Sequence, residues 1–160
     1  MAHPIDPTAV EDFLAQSHIA VVGASDDPKS FGGTIYRALK ARGHTVVPIN
    51  RNASTVDGDV CYPDLAAVPG PIDGVLVMVH RDQSTQIVRD CVERGIARVW
   101  LFRGLGGASA VSHDAIALCR ANDISLVAGA CPLMFLEPVA GFHKFHRAMR
   151  HLNGSLAQAS

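Results

Sequence analysis

The chain has no apolar run near the roughly 20 residues that a membrane span needs. Its opening residues, Met1-Ala2-His3-Pro4, start no basic and then hydrophobic leader. Charge of neither sign is in surplus: 14 Lys plus Arg stand against 15 Asp plus Glu, a formal net charge of −1. No basic block suggests a face for nucleic acid, and no long charge run suggests an interaction tail. The four cysteines, Cys61, Cys91, Cys119 and Cys131, are widely spaced and form no CxxC pair. Free thiols and a cytoplasmic location are therefore expected. GxxxxGK[ST] is missing, so a magnesium-dependent P-loop is not. Neither a repeat nor a low-complexity segment occurs.

What is present is an alternation of short apolar runs and amphipathic stretches. With 160 residues the chain suits one domain burying roughly 70% of the surface its unfolded form exposes. Residues 1–152 are expected to form it, with 153–160 as a frayed tail. Spacing predicts a helix over 7–16, capped by Asp6 or Thr8, with Val10, Phe13 and Leu14 on its inner face. Strands are expected at 19–22, 45–49, 74–79, 97–102 and 124–127. Helices are expected at 34–41, 83–94 and 109–121, with Gly43 and Gly95 as stop signals. Residues 50–71 read as loop, with Gly58 and Pro63 as turn signals and one short helical turn over 64–68. Strands alternating with helices argue for an α/β fold with a mostly parallel five-stranded sheet covered on both faces.

In such a sheet ligands bind beyond the strand C-termini, where the strand order reverses. The segments falling there are the Gly23 loop, Asn50-Arg51, His80-Arg81, Arg103-Gly104 and residues 128–132. The first of these is the most informative. Val21-Val22-Gly23-Ala24-Ser25 reads as a buried strand breaking into a small-residue turn. The chain then passes Pro28 and Lys29 to Gly32-Gly33 and a helix start. Helix N-terminal amides lack internal partners and can take an anion. Gly23 can leave the strand at a tight φ/ψ, Ser25 adds a hydroxyl and Lys29 a charge.

NAD sites usually carry an acidic residue after the second strand to hold the ribose hydroxyls. Here Asn50-Arg51 stands in that place. An arginine there attracts a phosphate with a planar fork of donors, which favours a phosphorylated ribose, as in coenzyme A or NADP. His80 can bond a phosphate or an amide, or simply cap the next helix, with Asp82 and Ser84 as ordinary first-turn residues. Arg103-Gly104-Leu105-Gly106-Gly107 suggests close backbone approach to a ligand, or a lid. Cys131 stands where it could meet a bound thiol, or is an incidental thiol. His143 and His146 share a helical face without a specified third ligand, so packing through Phe142 and Phe145 is the expectation there. Met134-Phe135-Leu136 reads as packing, around an apolar tail or against a partner subunit.

Together these segments resemble the small stand-alone CoA-binding-domain proteins, which look like the nucleotide-binding part of the succinyl-CoA synthetase alpha subunit. The resemblance covers roughly residues 13–137. It rests on Ala20-Val21-Val22-Gly23-Ala24-Ser25, on Gly43-His44-Thr45-Val46-Val47-Pro48-Ile49-Asn50 and on Gly58 through Tyr62. It continues in Ile72-Asp73-Gly74-Val75, Val99-Trp100-Leu101-Phe102 and Cys131-Pro132. It implies a Rossmann-like αβα sandwich with coenzyme A or a short acyl-CoA across the strand C-termini. The implied contacts are Gly23, Ala24, Ser25 and Lys29 at the phosphates, Asn50 and Arg51 after strand two, and Val79, His80 and Arg81 after strand three; the glycine-rich turn after strand four adds Gly104 as a candidate contact. The synthetases use further domains, for which 160 residues leave no room, and a phosphorylated histidine, whereas His113 falls in an expected helix, so no catalytic step is assigned. A small NADP-dependent oxidoreductase, and an accessory subunit of a larger acyl-CoA enzyme, are the rival readings. A homodimer is the candidate assembly.

Overall fold

The computed structural model describes residues 4–104 and 109–136. The expectations for Leu105, Gly106 and Gly107, for the segment holding Phe142 to His146, and for the tail lie outside those residues.

Five strands form one parallel sheet: β1 (His18–Val22), β2 (Thr45–Ile49), β5 (Gly74–Val77), β6 (Arg98–Phe102) and β7 (Ser125–Ala130), in the order β2-β1-β5-β6-β7. Their Val, Ile and Leu runs suit a pleated surface buried on both sides. Successive residues supply opposite faces. Ile19, Val21, Leu76, Trp100 and Val127 pack with α1 (Pro7–Leu14) and α2 (Phe31–Ala41). Ala20, Val22, Val75, Val77, Val99 and Leu101 pack with α3 (Arg81–Arg94) and α4 (His113–Ala121). The result is the expected three-layer αβα sandwich. Trp100 centres the first face: its indole donates to the Ala130 carbonyl at 3.0 Å and Phe13 meets it edge-on at 5.4 Å.

The chain leaves β1 for the β2 edge and then crosses back to β5. The order therefore reverses between β1 and β5, and the crevice above their C-termini is the ligand position for this topology.

The structure departs from the sequence expectations at several ends. Gly32 and Gly33 lie inside the first turn of α2, which starts at Phe31 with Ser30 as N-cap. Their lack of a side chain serves contact with the preceding loop, as shown below, rather than a loop conformation of their own. The 50–71 segment holds a hairpin, β3 (Thr55–Val56) and β4 (Asp59–Val60). Asp57 and Gly58 join the two strands at φ +52 and +79, the two left-handed residues of a type I′ turn. α3 starts at Arg81 and α4 only at His113, each where a cap fixes it: His80 and Ser112. β7 runs on to Ala130, so Ala128 to Ala130 are strand rather than connection.

Candidate functional site

The loop after β1 is built from its own side chains. Gly23 has φ +102, and a Cβ there would meet the Met78 carbonyl oxygen at 3.0 Å. Its amide donates to the Ile49 carbonyl at 2.9 Å. Ser25 Oγ accepts the Asp27 amide at 3.1 Å and Asp27 Oδ1 accepts the Lys29 amide at 2.9 Å. Asn50 Nδ2 donates to the Ala24 carbonyl at 3.0 Å, while its Oδ1 accepts the Asn52 amide at 2.9 Å. The Ala24 and Asp27 carbonyls, the Ser25 hydroxyl and the Asp27 carboxylate thus hold the loop's shape. Five of its amides, those of Ala24, Ser25, Asp26, Phe31 and Gly32, meet no acceptor among the described residues. Five uncommitted donors at a strand end and a helix start make an anion seat.

Gly32 and Gly33 let α2 close on that loop. A Cβ on Gly32 would collide with the Gly23 carbonyl oxygen, and one on Gly33 with the Ser25 carbonyl oxygen. The glycines bring the positive end of the helix directly against the turn.

Beside the seat lies a cavity of about 460 Å³, lined among others by Gly23, Asn50, Arg51, Val79, Gln83 and Gln86. Three carboxylates also reach its wall. Asp64 accepts the Ala67 amide at 2.9 Å, Asp82 lies 3.1 Å from His80 Nδ1, and Asp90 accepts from Gln86 at 3.0 Å. None pairs with Arg51, which is exposed and forms no ion pair among the described residues.

A larger cavity of about 1010 Å³ opens over the ends of β6 and β7. Arg81, Arg103, Ser109, His113 and Gly129 line it, and Asp82 borders both spaces. His80 lines neither space; it caps α3, its Nδ1 accepting the Asp82 amide at 3.3 Å.

The sequence candidates therefore fall into groups. Gly23, Asn50, Arg51 and Val79 come together in the smaller cavity, and Arg81 lines the larger one. Ala24 buries its methyl group in the core and offers only its backbone. Ser25 sits on the seat with its oxygen already engaged, and Lys29 is exposed at the loop's outer turn. Gly104 packs under the Phe102 ring, which would have to shift for a Cβ there at 2.7 Å. Sequence reasoning missed Gln83 and Gln86 on the cavity wall and Asp26, whose Oδ1 accepts the Asp57 amide at 2.8 Å. Exposed polar residues on a helix carry no distinctive spacing, so Gln83 and Gln86 gave no signal.

The cysteines are all unbridged, with Cys61, Cys91 and Cys119 buried and Cys131 half-buried just past β7. Burial pushes the Cys91 thiol far up, the Cys119 thiol to about 11 and the Cys61 thiol up. No group of three or more metal-ligating side chains occurs among the described residues.

A family model described as "CoA binding domain" matches residues 17–137. The alpha subunit of the ADP-forming acetate–CoA ligase II of Pyrococcus furiosus is 34% identical over 88 residues, 54% of this chain but 19% of that protein. The chain thus spans about a fifth of that ligase subunit. An uncharacterized Bacillus subtilis protein, YneT, is 24% identical over 131 residues, covering 82% of this chain and 93% of its own length. Among solved structures, a conserved hypothetical protein of Pyrococcus furiosus superposes with a TM-score of 0.68 at 26% identity, covering 74% of this chain and 98% of its own. The acetyl-coenzyme A synthetase 1 of Ca. Korarchaeum cryptofilum superposes at 0.64 with 28% identity, over 75% of this chain and 27% of that one.

Proposed function

The chain belongs to the CoA-binding-domain family, and from that membership we propose how it seats coenzyme A or a short acyl-CoA. The diphosphate lies on the free amides of Ala24, Ser25 and Asp26 and on the first turn of α2. The adenosine enters the cavity of about 460 Å³, with Arg51 on the 3′-phosphate. The pantetheine arm crosses the ends of β5 and β6 past Val79 and His80. From β1 to β7 is three strand spacings, about 14 Å, so the acyl end comes to the larger cavity beside Arg81 and Arg103. The observation that carries this reading is the pairing of unspent loop amides with an unpaired arginine at the point where the strand order reverses.

Free thiols agree with a cytoplasmic protein, and no helix among the described residues is long and apolar enough to cross a membrane. Phe31 and Met134 are 54% and 68% exposed, an apolar pair that suits the contact of a homodimer.

Calorimetric titration at fixed salt with coenzyme A, dephospho-coenzyme A, NADP and NAD tests the reading. Coenzyme A should bind best. Arg51→Ala should lose roughly tenfold against coenzyme A and little against the dephospho form, as expected when one charge-assisted contact goes. Preference for NADP would favour an oxidoreductase instead. Equal binding of coenzyme A and its dephospho form would remove Arg51 from the site.

A further inference from the structure

We infer that Asp26 is a positioning residue that locks the diphosphate seat to the β3–β4 hairpin. The inference rests on the reading of the Gly23 loop as that seat. In a two-residue type I′ hairpin the ladder closes between the residues flanking the turn, so the turn's own first amide has no partner within the hairpin. Here that amide belongs to Asp57, and Asp26 Oδ1 takes it at 2.8 Å across 31 residues of sequence.

The contact closes a ring. From Asp26 the loop runs through the Ser30 cap into α2. One and a half turns on, the Tyr36 hydroxyl donates to Asp59. Lys40, one turn further, bridges Asp57 at 3.2 Å and Asp59 at 2.7 Å. The hairpin is thereby staked to the helix that continues the loop, and Asp26 joins its tip back to the loop itself. Asn50 holds the same loop from the other side, through Ala24. Two side chains thus fix the segment whose amides remain unspent, and binding then need not order it.

Asp26 is an acid beside a seat for a dianion, which is a cost unless its oxygen has a task. An asparagine keeps the acceptor and removes the charge. Asp26→Asn should therefore bind coenzyme A at least as tightly as the wild type. Asp26→Ala should bind roughly tenfold more weakly, because binding must then order the loop that Asp26 held. Asp26→Asn should leave the unfolding midpoint unchanged, and Asp26→Ala should lower it only by what one exposed hydrogen bond supplies. Hydrogen exchange in the ligand-free proteins should show faster exchange at Asp57 and across residues 24–30 in Asp26→Ala, and wild-type rates in Asp26→Asn. Wild-type affinity in Asp26→Ala, or an Asp26→Asn variant as weak as the alanine, would overturn the inference. Should the wild type itself not bind coenzyme A, the functional reading fails; unchanged exchange in Asp26→Ala would then separately refute the lock.

Discussion

Gly32, in the first turn of α2, lies so close to the Gly23 carbonyl that no side-chain carbon fits between them. The obstacle is backbone on both sides, so nothing flexible can yield. Gly32→Ala must either push α2 away from the loop or twist the loop out of shape. We expect a loss of about 1–3 kcal/mol in urea unfolding, the usual size of an overpacking defect. Coenzyme A affinity should fall at least tenfold, because the helix start and the turn no longer share one surface. Gly70→Ala is the control: nothing lies near a Cβ there, and it should stay within about 0.5 kcal/mol.

Asn50 acts on the site through the Ala24 carbonyl, which accepts its Nδ2, while its Oδ1 accepts the Asn52 amide. Asn50→Asp places a carboxylate oxygen against a carbonyl oxygen and adds charge near the phosphates. Asn50→Ala only removes the tie. Calorimetry should rank affinity as wild type, then alanine at about tenfold weaker, then aspartate weaker still. An aspartate variant that binds better than the alanine would mean that the side chain is not turned toward Ala24 in solution.

The layers of this fold were readable because they follow from periodicity alone. Runs such as Ile19 to Val22 and Val99 to Phe102 are apolar without alternation, which only a doubly covered parallel strand requires. Tight caps were harder. Ser30, His80 and Ser112 set where α2, α3 and α4 start, and each competes locally with other candidates a few residues away. The hairpin was missed although Asp57-Gly58 is a strong turn signal, because its strands are two residues each and show no period. Of the candidate site, the placement of Gly23, Asn50 and Arg51 around one cavity was legible from their place after strands. The meaning of Gly32 and Gly33 was not: a sequence shows that side chains are missing, whereas only the packing shows which carbonyls occupy their room. Asp26 could not be found at all, since its partner is a backbone amide 31 residues away.

The ring through Tyr36, Lys40 and Asp59 should show in acid. Lys40 beside it, and the Tyr36 hydroxyl bonded to it, hold the Asp59 carboxyl below the usual carboxylate range. A carboxyl lowered on folding stabilises the native state above its unfolded value, about 3.9, and that contribution disappears as pH falls through the folded value. Tyr36 works at the other end. Burial first, and Asp59 second, push its hydroxyl well above the ordinary tyrosine value, so its contribution is complete below about pH 10 and is lost above it. Urea midpoints measured from pH 6 to pH 2.5 should fall more steeply in the wild type than in Asp59→Asn. From pH 9 to pH 11.5 they should fall more steeply in the wild type than in Tyr36→Phe. Parallel curves in acid would show that Asp59 is not coupled to its neighbours.

The thiols give a direct view of where the pantetheine arm runs. Cys61, Cys91 and Cys119 are buried, and burial raises all three thiols, which removes both access and thiolate. Cys131 is half-buried at the C-terminal end of β7, on the sheet edge that carries the two cavities. Native protein treated with a disulfide reagent at pH 8 should therefore release one equivalent quickly, assigned to Cys131 by peptide mass, and the other three only in denaturant. If the arm crosses β5 and β6 toward β7, saturating S-methyl dephospho-coenzyme A, whose capped sulfur cannot consume the reagent, should slow that single reaction several-fold, while adenosine diphosphate, which lacks the arm, should not. Equal protection by both would place the effect in the loop after β1 rather than along the sheet edge. No protection by either would send the arm away from Cys131 and leave the larger cavity to another ligand.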